Sequence, residues 1–264
     1  MTAAARPTPR LSWRARATMF ARLFAVQGSW SYELMDGPGL GFCEEPALRE
    51  LPGGRDGAPY RAALARQTRF FNSHPYLAAV AVGAMARAEL AGEPPEQIER
   101  VRAAMCGPLG SLGDRLVWAG WLPFCAFAAL LVFGAQGGPL AVVLVFLVLY
   151  NVGHIGLRAW GLQVGWRHGL RVTSALGAPI LHRGPQYLAR AVMLLAGIAI
   201  PLDIARLLDR VPGTPLRAAD VPAAVILLAT AALGVLLTRV RGRAEGWRAA
   251  LLILAALILA SIAR

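Results

Sequence analysis

Five apolar stretches, at about residues 116–134, 139–157, 188–205, 221–238 and 247–263, constrain this chain more than any motif does. Each approaches the roughly 20 helical residues needed to cross a hydrocarbon core. Lipid offers no hydrogen bonds to a backbone, so such runs must satisfy their N–H and C=O groups internally, as helices. Composition agrees: 56% of residues are hydrophobic and only 16% charged, against about 25% charged in a soluble domain. The mean hydropathy is +0.51. The fold class expected is all-α, a polytopic membrane protein with about five spanning helices in its C-terminal half.

The formal charge of +12 comes from 27 basic residues, every one an arginine. A pI of 11.2 would suit a nucleic-acid binder, but the arginines are placed by loop. Residues 135–138 carry no charge, whereas 158–190 hold Arg158, Arg167, Arg171, Arg183 and Arg190, which predicts a cytoplasmic loop. The 206–220 connection mixes Arg206, Arg210 and Arg217 with Asp209 and Asp220, and the 239–248 turn packs Arg239, Arg241, Arg243 and Arg248. This alternation is a topology signal, reinforced by attraction to the anionic headgroups of membrane lipids. Nucleic acid is not an expected partner.

The first 115 residues are organised differently. Residues 1–12, with Arg6, Pro7, Pro9 and Arg10, read as a flexible tail without a signal-peptide cleavage pattern, expected on the inside. From 13 to 35, Met19, Phe20, Leu23, Phe24, Trp30 and Leu34 recur at helical spacing with Arg14 and Arg22 off that face, predicting an interfacial amphipathic helix. It is expected to stop at GPGLG (37–41). A second helix over 59–71, with Tyr60, Leu64, Gln67 and Phe71 on one side, precedes a break at 72–75. Residues 76–86 are apolar but only eleven long, half a span, and read as a re-entrant limb. Residues 94–105 predict a polar connecting helix, opening with Glu96 and Glu99 and closing with Arg100 and Arg102 to complement its dipole. GPLGSLGD (107–114) then reads as a flexible tip at the mouth of the first span. Irregular backbone at membrane depth survives only where protein or a wet cavity satisfies it, so these breaks are expected to mark the working part. No linker separates the apolar blocks, so 13–264 reads as one membrane domain, amphipathic and re-entrant over 13–115 and spanning over 116–264.

Cys43, Cys106 and Cys125 lie far apart and read as buried thiols, with no Cys-x-x-Cys or His-x-x-x-His pair, so neither a metal nor a cofactor is expected. The glycines of GPLGSLG lack the Lys-Ser/Thr pair of a phosphate loop, and no nucleophile-elbow pattern exists. The chain is not expected to be an enzyme by itself.

Four segments in order, FARLFAVQGSWSYELMDGPGLGFC (20–43), RFFNSHPY (69–76), MCGPLGSLGD (105–114) with Trp118 beyond it, and YNVGHIGLRAWG (150–161), resemble the enzyme IID subunit of the mannose, fructose and sorbose family of the bacterial sugar phosphotransferase system (PTS). The resemblance is strong over about 18–170 and lies in hydropathy alone beyond. It implies a multi-pass subunit of the bacterial inner membrane that pairs with a IIC membrane partner to carry a hexose inward. It further implies cytoplasmic IIA and IIB phosphocarriers, IIB phosphorylating the arriving sugar, and a hetero-oligomer of IIC-IID pairs, typically trimeric. No phosphohistidine is implied on this chain.

A sugar site wants carboxylates and amides for paired hydrogen bonds and aromatic rings for C–H faces. Glu33, Asn72 and Trp30 have that chemistry. Glu33 could instead serve an intersubunit ion pair, and Asn72 a local backbone cap. His74, before Pro75, is either a ligand or part of a new helix start. Asp114 is either the N-cap of the first span or a solute-facing tip residue. His154 is open between polar packing and lumen lining, while His168 and His182 are expected to be solvated. The chain departs from the family pattern at Glu44-Glu45, where two adjacent acids fit a buried hairpin poorly, at Arg115, and in a shortened 203–220 segment. A regulatory membrane protein on the same scaffold, or an oligomeric scaffold or passive pore packed through the glycines of 134–138 and 153–161, is the alternative class.

Overall fold

The computed structural model describes residues 9–177 and 179–208. The spans expected at 221–238 and 247–263, and the arginines of 239–248, lie outside the described residues. Among the described residues every regular element is helical, and strand-like pairing occurs only at two isolated bridges, Ser31 with Met35 and Met35 with Phe71. The chain divides into two compact units, Met1–Ala129 with Val143–Val192, and Leu130–Val142 with Met193–Arg264.

In the first unit, α1 (Trp13–Arg22) packs on α2 (Gly37–Leu48), which packs on α3 (Ala58–Gln67) and α4 (Ala78–Leu90). Ser12 caps α1, its hydroxyl accepting from Ala15 N–H at 3.2 Å. The helix expected over 13–35 ends early, at Arg22. Beyond a 3₁₀ turn (Leu23–Ala25) the chain folds through a left-handed Met35 (φ 51°) and is tied to the 71 segment, Asp36 N–H donating to Phe71 C=O and Phe71 N–H to Leu34 C=O. GPGLG does not break a helix but begins one. A Cβ at Gly37 would strike the carbonyl of Arg69 and one at Gly39 the carbonyl of Val26, so these glycines permit close packing. Pro46 inside α2 has no N–H for the Phe42 carbonyl, and Arg22 donates to that carbonyl instead, at 2.8 Å.

The short apolar helix expected over 76–86 is α4, apolar nearly all round and buried along its length except at Arg87 and Leu90. α5 (Pro95–Gly113), a π-helical stretch (Asp114–Trp121) and α6 (Leu122–Gly134) form one 40-residue helical run. The expected flexible tip at GPLGSLGD is therefore helical. Asp114 is not an N-cap, since its backbone (φ −59°, ψ −45°) lies inside continuous helix, and it is exposed. Pro123 cannot donate to Ala119, which accompanies the widened turn just before it.

α7 (Pro139–His168) leads through a 3₁₀ turn (Gly169–Arg171) and α8 (Val172–Leu176) to α9 (Pro179–Leu208). Arg158 and Arg167, expected in a loop, lie in α7, and Arg183, Arg190 and Arg206 lie in α9. Among the described residues three stretches are long and apolar enough to cross a membrane, Pro95–Gly134, Pro139–Ser174 and Leu181–Leu207, and they contain the stretches expected to span at 116–134, 139–157 and 188–205. In the second unit the buried Arg206 donates to the carbonyls of Phe133, in the last turn of α6, and Gly137, in the turn that follows, tying α9 to that end of α6. The unit's charge-free turn closes through Gln136 in left-handed backbone (φ 67°).

Candidate functional site

The four segments that carry the resemblance meet in the first unit around one cluster, buried at Leu23, His74, Tyr76, Gly113 and Arg158 and open at Phe24 and Trp118. RFFNSHPY contributes His74 and Tyr76, the 105–118 segment Gly113 and Trp118, the front segment Leu23 and Phe24, and α7 contributes Tyr150, His154 and Arg158. Tyr150, His154 and Arg158 are four residues apart and share one helix face.

Arg158 is the cluster's buried charge, only 4% exposed. Its Nε donates to the Leu23 carbonyl at 3.1 Å, and its guanidinium lies 4.3 Å from the Tyr76 ring centre and 5.3 Å from that of Phe24. Two aromatic faces thus take the place of a carboxylate. One guanidinium nitrogen has no hydrogen-bond partner. The hydroxyls of Tyr76 and Tyr150 hydrogen-bond, and the His154 ring lies tilted against Tyr76, with ring centres 4.5 Å apart.

His74 lies just ahead of α4, its carbonyl accepting from Leu77 and Ala78 N–H in the turn that leads into that helix. The side chain is buried among Tyr76 (4.9 Å) and Trp118 (5.1 Å). Its Nδ1 accepts from Tyr76 N–H at 3.2 Å, so the neutral ring carries its proton on Nε2, which meets no acceptor. Burial, reinforced by Arg158, lowers the imidazole to about 4, keeping it neutral. Gly113 explains part of GPLGSLG: a Cβ there would collide with the His74 side chain.

Beside the cluster, Asp36 is buried and accepts from the Ser73 hydroxyl at 3.1 Å, while its other oxygen is unpaired. Burial raises its pKa, and hydrogen bonds from Ser73 oppose the rise. The backbone pairing of Leu34 and Asp36 with Phe71 brings the Glu33 turn alongside the Asn72 break. Glu33 and Asn72 are exposed there, and Trp30, 42% exposed, packs edge-on against Tyr32 at 4.8 Å. Of the five residues singled out from sequence, only His74 enters the buried cluster; Asp114 follows the glycine that packs on His74 but faces outward. Asp36, Tyr76, Tyr150 and Arg158 were not singled out. The four-residue spacing inside YNVGHIGLR was the available signal.

The acid pair at the family departure splits into two environments. Glu45 accepts from Arg22, Arg49, Arg55 and Tyr60. Burial alone would raise it, but hydrogen bonds from Arg49, Arg55, Arg22 and Tyr60 bring it down to about 2. Glu44 is fully buried with both oxygens unpaired, and burial holds it well above the ordinary carboxylate range against the pull of Arg102. Glu89 is paired with Arg66 and Gln67, and Arg102 turns inward to the carbonyls of Gln67, Arg69 and Phe70, fastening α5 to the end of α3. Cys43 is buried, its thiol pushed up to about 12 by burial and then by Glu44, while Cys106 is only half-buried. Among the described residues no three His, Cys, Asp or Glu side chains gather as a metal site.

Residues 10–195 match the family described as the PTS system mannose/fructose/sorbose family IID component. The chain is 30% identical over 205 residues to the PTS system mannose-specific EIID component of Escherichia coli (strain K12), covering 73% of this chain and 71% of that one. It is 33% identical over 175 residues to the sorbose-specific EIID component of Klebsiella pneumoniae (63% and 61% covered), and 29% identical over 215 residues to the fructose permease IID component of Bacillus subtilis (strain 168) (76% of each). In fold it is similar to a chain of the mannose transporter ManYZ in its cryo-EM complex with microcin E492, with a TM-score of 0.55 at 23% identity over 97% of this chain and 96% of that chain. It is also similar to a structure described only as a membrane protein, with a TM-score of 0.63 at 24% identity over 96% of each chain. The chain therefore belongs to the mannose/fructose/sorbose family of PTS IID components, the membrane subunits of these sugar transporters that are not themselves catalytic.

Proposed function

We propose that this subunit pairs with a IIC chain in the bacterial inner membrane, as a multi-pass domain over 13–264, and forms part of an inward path for a hexose. A separate IIB protein, recharged by IIA, phosphorylates the sugar as it arrives. Phosphorylation traps the sugar as an anion that cannot return, so the chemistry that drives transport is carried out on other chains. The observation that carries this reading is the convergence of distant segments on a buried aromatic, imidazole and guanidinium cluster with unpaired donors, next to a membrane-length helix. Buried polar groups without partners are costly in such surroundings and suit a solute or sister subunit that completes them.

In this reading Glu33, Asn72 and Trp30, on the two paired segments, reach the sugar from the exposed side. His74 presents its Nε2 proton from the buried side, and Asp114 lines the approach. The pairs assemble as trimers, with the short buried helices as re-entrant limbs and the basic ends of α7 and α9 toward the cytoplasm. The test is co-expression with IIC, IIB and IIA and measurement of labelled hexose phosphate. Glu33→Ala and Asn72→Ala are expected to lose at least tenfold in accumulation, about 1.4 kcal/mol, with complex assembly intact. Unaltered uptake in both would remove these residues from the site. A complex that assembles yet accumulates no hexose phosphate with the unaltered chain would favour the regulatory alternative.

A further inference from the structure

Between α1 and α7 lies a groove of about 390 Å³, in the size range of ligand clefts. Its walls are mainly apolar, from Ala17 and Phe20 on α1 and Ala159 and Leu162 on α7. Arg16 bridges the two helices through Gln163 Oε1 at 2.6 Å, and Trp13, 74% exposed, opens α1 beside it.

Charge, depth and continuity agree on what fits there. α1 carries Arg14, Arg16 and Arg22 and no acid. Arg22 is taken by Glu45, but among the described residues no carboxylate lies within ion-pair distance of Arg14 or Arg16. Arg14 lies over the Trp13 ring, and the partner of Arg16 is neutral. The ligand should therefore be an anion with an apolar body. The stretch 139–157 of α7 holds no charged residue and spans roughly 28 Å as helix, the thickness of a hydrocarbon core. Ala159 to Gln163 then fall at headgroup depth, where Trp13 is also favoured. Leu144, Val148, Val152 and Ile155 form an exposed apolar stripe whose four- and three-residue steps lead to Ala159 on the same face.

We propose that this groove binds one anionic phospholipid, its phosphate at Arg16 and an acyl chain passing Ala17, Phe20 and Ala159 onto the stripe of α7. The site is independent of sugar transport and requires only that the chain sit in a bilayer.

The full chain, co-purified with its IIC partner in detergent, would be titrated with phosphatidylglycerol or with phosphatidylcholine of identical acyl chains, and bound lipid counted by native mass spectrometry. One phosphatidylglycerol should bind in preference to phosphatidylcholine. Arg16→Gln should weaken it about fivefold, as expected for one arginine at a headgroup. Ala17→Trp and Ala159→Trp, both at exposed positions, should abolish it by filling the groove, with melting temperatures unchanged in the absence of lipid. Arg16→Gln needs no change of shape, so it tests the site even where a tryptophan perturbs packing. Equal binding of the two lipids would overturn the proposal, as would unchanged phosphatidylglycerol affinity in Arg16→Gln together with Ala17→Trp. So would cross-linking of Ala159→Cys to IIC, which would assign the groove to a partner helix.

Discussion

Two neighbouring carboxyls, Glu44 and Glu45, show how far environment separates chemically similar groups. Glu45 is held at about 2 against an ordinary 4.5, so its ion pairs contribute fully above about pH 4.5 and are lost as pH falls from there through 2. Glu45→Gln is expected to destabilise by about 2 kcal/mol at pH 7, less than a fully buried pair because Arg49 and Arg55 are substantially exposed. Glu44 has the opposite sign: its raised value makes folding less favourable as pH rises above 4.5. Glu44→Gln should therefore raise the melting temperature in detergent at pH 7 and leave it unchanged at pH 4. A fall at pH 7 would mean that Arg102 requires the charge. His74 works in the direction of Glu45, since its ring must be protonated on unfolding between 6.5 and about 4. The sequence marked the acid pair as anomalous. That one acid is clamped and the other stranded depended on which side of α2 faces Arg22 and which faces α4.

At the scale of elements, glycine placement decides the packing. Gly83 of α4 faces the Leu162 carbonyl and the Trp166 amide of α7, and a Cβ at Gly165 would collide with the Val80 carbonyl of α4. Those contacts are backbone against backbone and cannot yield. Gly165→Val should cost about 3 kcal/mol or more and lower the melting temperature accordingly. Gly110 on α5 meets nothing within 4 Å, so Gly110→Ala in the isolated chain should stabilise by about 0.5–1 kcal/mol through helix propensity. Two glycines equally conspicuous in the sequence thus have opposite substitution effects. GPGLG and GPLGSLG read as breaks because glycine and proline usually punctuate helices; here a neighbouring backbone or side chain occupies the space a Cβ would need at Gly37, Gly39 and Gly113. Gly161, at the end of the 153–161 stretch read from sequence as a candidate oligomer face, is used inside the chain against α4, as is Gly165.

For the whole molecule, the exposed side chains of α7 are its clearest membrane signature, with Val143, Leu147, Val148 and Val152 each 46–63% exposed along a helix long enough to span. In membrane vesicles on a cysteine-free background, Val148→Cys should resist a membrane-impermeant maleimide from either side, while Arg171→Cys, in the exposed turn after α7, should be labelled from one side only. Labelling of Val148→Cys in the intact complex would contradict a lipid- or partner-covered span.

Long uncharged runs determined by themselves that the described residues are helical and where their three membrane-length helices lie, because hydrocarbon leaves a backbone no other way to satisfy its polar groups. Ordered motifs pointed to the family for a similar reason: residue identity survives in a linear string. Helix ends were less legible. An arginine reads as a loop residue until two aromatic rings and a carbonyl are found to surround it, and Arg158 met Tyr76, Phe24 and Leu23 only once α7 had crossed α4. Contacts between residues more than a hundred positions apart leave no local trace in composition or periodicity, so the buried cluster and the α1–α7 groove were decided by tertiary structure alone.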